Sequence, residues 1–141
     1  MSQYDQLVRL QEWELDQKRR MLAAVEAEVQ ALVDRRRTLE EDLRREQGIA
    51  ANSVEASLHY GTFANQIMAR REALDKEILA KEEAVKETNN ILVEAYQELR
   101  KAEIVRDKHN DEERRKAARL EQLEFDEIGR NLHLRRSVKP G

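Results

Sequence analysis

The stretch 22–43, LAAVEAEVQALVDRRRTLEEDL, sets Leu22, Val25, Val29, Leu32, Leu39 and Leu43 at alternating steps of three and four, with Arg36 in the one gap. That spacing is a heptad seam, a narrow apolar edge of an α-helix that faces a partner helix. Its a positions are Leu22, Val29, Arg36 and Leu43, its d positions Val25, Leu32 and Leu39, and Val8 and Leu15 extend the a series towards the N-terminus. A seam this narrow is not buried by its own helix, so the chain must supply a second helix or find one elsewhere.

Working outward, residues 2–47 read as one uninterrupted helix. Acid-before-base pairs four apart, Glu14 to Lys18, Asp16 to Arg20, Glu40 to Arg44 and Glu41 to Arg45, lace its solvated face. Each adds only ~0.2–0.5 kcal/mol, so they tune the helix and do not create it. Arg36 falls on the seam, where its aliphatic stem covers apolar surface while the guanidinium reaches water. Gly48 interrupts the period, and small polar residues through Thr62, including Asn52, Ser53, Ser57 and Gly61, read as a turn region. Asn52 with Glu55 resembles a capping box, which leaves open a short helix inside that region.

From Phe63 the helical period returns and holds to about residue 135, and residues 136–141 form a basic tail. Glu77 to Lys81 and Glu82 to Lys86 repeat the acid-before-base pairing. The second seam runs through Ile67, Leu74, Ile78, Val85, Leu92, Ala95, Leu99 and Ala102, with Arg71, Lys81 and Thr88 as polar intrusions. In an antiparallel pair the numbers of facing residues total a constant, and this is 110 if residues 48 and 62 face each other. Val8 then meets Ala102, Leu15 Ala95, Leu22 Thr88, Val25 Val85, Leu32 Ile78 and Leu43 Ile67, each pair setting an a position against a d position. The expected fold is all-α, a single-domain two-helix antiparallel coiled-coil hairpin with a longer second helix.

Helix 1 runs out opposite residue 107, and helix 2 continues for roughly 28 residues, ~40 Å at 1.5 Å per residue. The segment RDKHNDEERRKAAR, 106–119, has no large apolar residue. Apolar residues then return as Leu120, Leu123, Phe125, Ile128, Leu132 and Leu134. A solitary helix does not need them. They read as a surface for another protein, with self-association and a fold-back of the C-terminal segment as alternatives.

Composition supports long helices over a compact core. Charged residues make up 39% of the 141 residues and aromatics 4%, with one Pro and four Gly. The net charge of −3 gives no sign of a nucleic-acid partner, although Arg130, Arg135, Arg136 and Lys139 follow Gly129 without an acid. There is no cysteine, which excludes thiolate chemistry and fits a reducing cytoplasm. No apolar run approaches the ~20 residues a membrane span needs, and the N-terminus lacks the apolar segment of a cleaved signal.

Nothing points to catalysis. The glycines are isolated and form no phosphate-binding loop. His59, His109 and His133 are far apart, and His109 with Glu113 supplies only two ligands at helical spacing. No Ser, His and Asp set comes together, so no catalytic, cofactor-binding or metal-binding residue is assigned and the expectation is a chain that is not an enzyme. Trp13 lies off the main seam with Leu10 and Met21, either in an aromatic contact with Tyr96 or as an anchor for a partner. Tyr60, Phe63 and Ile67 cluster near the turn, where they either seal it or form a binding patch.

Taken together, a shorter first helix, a turn of small polar residues, Phe63-x-x-x-Ile67 opening a longer second helix, and the late run Leu120-Glu-Gln-Leu-Glu-Phe125-Asp-Glu127 near a basic end resemble the FliJ family. That family comprises the coiled-coil stalk proteins of flagellar type III export, related to the YscO-type proteins of injectisomes. The resemblance implies a monomer whose joined terminal ends enter the central pore of the hexameric export ATPase, promote ring assembly and turnover, and link the ring to the export gate membrane protein. It also implies binding to export chaperones, a role in motility, and a cytoplasmic place at the inner face of the cell membrane without insertion. Carried onto this chain, Leu10, Trp13, Leu120, Leu123, Phe125 and Ile128 would face the ATPase ring, and Phe63 and Ile67 the gate. Arg70 and Leu74 depart from the family pattern beside that second surface. A structural coiled coil that self-associates as a spacer or filament component is the competing expectation.

Overall fold

A computed structural model describes residues 2–138, and the last part of the expected basic tail, residues 139–141, lies outside them. The fold is all-α, two helices packed against each other in antiparallel sense. Helix α1 spans Gln3–Ala50, 48 residues, and α2 spans Val54–Val138, 85 residues.

The start of α1 is fixed by a reciprocal cap. The Asp5 backbone N–H donates to Ser2 Oγ at 3.2 Å, and the Ser2 backbone N–H and hydroxyl donate to Asp5 Oδ2 at 3.1 and 3.0 Å. Two of the amides that a helix N-terminus leaves without partners are thereby satisfied. The same bonds from Ser2 favour the ionised carboxylate and hold Asp5 below its ordinary value of 3.8, with Arg106 lowering it further.

The turn is much shorter than the expected 48–62 region, and it corrects both helix bounds. Between the two helices lie only residues 51–53. Asn52 closes α1, its side-chain amide donating to the Gly48 carbonyl at 3.2 Å, and Ser53 opens α2, its hydroxyl accepting from the Ala56 N–H at 3.3 Å. The cap is thus Ser53 and not the Asn52–Glu55 box. Gly48 and Gly61 stay within the helices with ordinary negative φ, and a Cβ at either would meet nothing within 4 Å. A helical glycine costs only ~1 kcal/mol relative to alanine, which two strong caps and a packed seam override.

The chain forms two compact units, each pairing a piece of α1 with a piece of α2. In the unit Trp13–Tyr96, Leu15, Leu32, Ile67, Ala95 and Thr88 are buried, and Leu22, Val25, Val29, Leu39, Leu43, Leu74, Ile78, Val85 and Leu92 are half-buried. In the unit Met1–Glu12 with Gln97–Gly141, the buried residues among those described are Val8, Leu99 and Ala102. Every apolar residue named in the two seams is therefore covered at least in part, whereas Lys81 is exposed. Two helices cover each seam from one side only, so burial is incomplete even at the centre of the contact.

Cross-helix contacts establish the register. Arg36 Nε lies 2.7 Å from Asp75 Oδ1 and Lys81 Nζ 2.6 Å from Glu28 Oε2, pairs whose numbers total 111 and 109 around the expected 110. The Arg36 contact is a charge pair without an aligned hydrogen bond from Nε. Both pairs are close to half-exposed, so each is worth only ~0–1 kcal/mol and selects alignment more than it adds stability. Thr88, the one buried polar residue among those described, satisfies its hydroxyl locally by donating to the Ala84 carbonyl at 2.7 Å.

Of the expected pairs within a helix, Glu14–Lys18 at 3.9 Å and Asp16–Arg20 at 3.1 Å form. Lys81 instead crosses to Glu28, Lys86 turns to Glu83 at 3.3 Å and Arg45 to Asp42 at 3.4 Å. Exposed long side chains choose among partners of nearly equal energy, and spacing alone does not decide the choice.

Candidate partner-binding surfaces

The first surface lies on α2 within the unit that holds Met1–Glu12. From residue 112 to 137 every side chain is exposed, as expected of a helix beyond the reach of α1. Leu120, Leu123, Phe125, Ile128, Leu132 and Leu134 are between 51% and 63% exposed, a concentration of large apolar groups without a partner. At 100° per residue they form two stripes. One holds Leu120, Leu123 and Leu134; the other holds Phe125, Ile128 and Leu132.

Before this surface comes a charged collar that keeps to itself. Arg106 pairs with Asp107, Arg114 with Asp111, and Lys116 with Glu113. The His109 ring lies 4.5 Å from that of Tyr4, tilted by 39°, an aromatic contact between the two helices. Among the described residues no group of three or more His, Asp or Glu side chains is arranged to hold a metal.

Leu10 and Trp13 are exposed at 52% and 58%, each in its own unit. Of the two expectations for Trp13, the ring contact with Tyr96 is not among the aromatic pairs of the described residues, and Tyr96 has another partner. Arg19 donates to the Tyr96 hydroxyl at 3.0 Å and sets its guanidinium 5.5 Å from the ring centroid. A cation over an aromatic face gains ~0.5–1 kcal/mol at an exposed site and needs no burial, which leaves the indole open.

A second surface lies at the turn of the unit Trp13–Tyr96. Ile67, expected on a partner-facing patch, is only 4% exposed and belongs to the core. Tyr60 and Phe63 are half-buried. The most exposed apolar side chains here are Val54 at 82% and Leu58 at 77%, with Ile49 at 49%. With facing numbers near 110, residue 50 stands across from 60, so Val54 to His59 has no α1 residue opposite it. Reading 48–62 as a turn hid this pair. The Ser53 cap followed by apolar residues four apart was the available signal.

No helix of the described residues is long and apolar enough to cross a membrane. A family model described as "Flagellar FliJ protein" matches residues 1–137. No curated protein and no solved structure matches the chain.

Proposed function

Since the chain belongs to the FliJ family of flagellar export proteins, we propose that it acts as a non-enzymatic stalk of the bacterial flagellar type III export apparatus. The observation that carries the reading is the uncovered end of α2, where Leu120, Leu123, Phe125 and Ile128 are each more than half exposed. A helix with apolar stripes on two sides suits enclosure better than a shallow groove, and the pore of a hexameric ATPase encloses. Leu10, exposed in the same unit, joins this ring-facing set, and Trp13 is a further ATPase contact in its own unit.

The mechanism is allosteric. One asymmetric helical end inside a sixfold ring contacts some subunits and not others, so it binds their nucleotide states unequally and shifts the populations of those states. Ring assembly and turnover rise without any catalytic residue in this chain. Phe63, half-buried one helical turn before the buried Ile67, supplies the gate-facing contact, together with the more exposed Val54 and Leu58. Export chaperones are further partners, and the protein works as a single copy in the cytoplasm at the inner face of the cell membrane.

The test is hydrolysis by the cognate export ATPase measured across a concentration series of this chain. The expected result is increased turnover that falls when Leu123 and Phe125 are both changed to Glu, with no hydrolysis by the chain alone. Absence of stimulation by the unaltered chain at every concentration sinks the reading.

A further inference from the structure

The seam of α2 does not stop where α1 stops. Continued from Leu92, Ala95, Leu99 and Ala102 by steps of four and three, it passes through Leu120, Leu123, Glu127, Arg130 and Leu134, all exposed. Charge is sorted along the same segment. Glu121, Glu124, Asp126 and Glu127 precede Ile128, and Arg130, Arg135 and Arg136 follow it. Among the described residues none of these seven charges forms an ion pair, although the collar just before them forms three.

We infer that free copies of this chain associate through this uncovered seam, two α2 ends lying antiparallel about a twofold axis near Ile128. The register follows from the residues. When facing numbers total 257, Leu123 meets Leu134 of the second copy, Glu127 meets its Arg130, and both contacts occur twice. Each sets one class of seam position against the other, as antiparallel layers require. A slide by one heptad in either direction sets leucine against a charge. A parallel pair sets Glu127 against Glu127 and Arg130 against Arg130, which like-charge repulsion disfavours. Self-complementarity of this kind is what a twofold interface needs. Phe125, Ile128 and Leu132, on the other stripe, stay uncovered. The inference does not rest on the export reading, because its readout is mass and not turnover.

Sedimentation equilibrium of the full chain, over a concentration series at low salt, tests it. The expected result is a reversible monomer–dimer equilibrium in which Glu127→Arg and Arg130→Glu each weaken association by about tenfold or more. An equimolar mixture of the two variants restores it as a mixed dimer, since each then faces the opposite charge. Leu123→Glu also abolishes it, and helical circular dichroism confirms that all variants fold. A chain that stays monomeric throughout, or a dimer indifferent to both charge reversals, overturns the inference.

Discussion

Two regions of α2 carry the same period and meet different fates. Ile67, Ala95, Leu99 and Ala102 are at most 9% exposed against α1, whereas Leu120, Leu123 and Leu134, further along the same seam, are 59–63% exposed. The difference is length, since α1 has 48 residues and α2 has 85. Periodicity specifies a face that can be covered. It does not specify what covers it, and the uncovered remainder is where partners are expected.

The sharpest way to break that comparison is truncation at matched leucines. Leu32→Ala, at a position 8% exposed, is expected to lower unfolding free energy by ~2–4 kcal/mol, the cost of lost burial plus a cavity. Leu123→Ala is expected to change it by less than ~0.5 kcal/mol, as surface changes do. Urea unfolding followed by helical circular dichroism reads both. Equal losses would mean that the end of α2 is already covered within the chain.

Glycine gives the next largest effect. Gly48→Ala and Gly61→Ala should each stabilise by ~0.5–1 kcal/mol, because both sites are helical with open space at Cβ. Destabilisation at Gly61 would restore the longer turn. A smaller effect probes the register: Lys81→Ala and Glu28→Ala should show a coupling of ~0.2–1 kcal/mol in a double-mutant cycle, vanishing at high salt. Coupling between Lys81 and Glu77 instead would show that the helices do not meet in this alignment.

The smallest effect concerns the first turn of α1. Asp5 is held below 3.8 by its bonds to Ser2, so the cap is fully in place above the unfolded value near 3.9 and is lost as pH falls through the lowered one. Protection of the first-turn amides, measured relative to their intrinsic exchange rates, should be lost only at that acid end, and Asp5→Asn should flatten the dependence. Unchanged protection across the range would remove the cap from the account.

Much of the fold is legible in the residues alone. Leu22, Val25, Leu32 and Leu39 announce a helix with a partner, and the arithmetic of facing numbers found an alignment that Arg36–Asp75 and Glu28–Lys81 bracket. The uncovered leucines of α2 were visible too, because the apolar gap at 106–119 separates them from the paired seam. Val54 and Leu58 were not, since glycines and serines around them argued for a turn. For Trp13 the residues left two readings open, a contact with Tyr96 or an anchor for a partner, and Tyr96 is met by Arg19 while the indole is exposed.

The primary structure alone decided helix, sense and seam, because these depend on which residues recur at the helical period and on hydrophobic burial, a force without direction that sums over many positions. Tertiary structure decided where the helices end, which acid each base chooses and which ring Arg19 covers. Those choices turn on differences of ~1 kcal/mol or less between local alternatives, and only the packed neighbours determine which alternative wins.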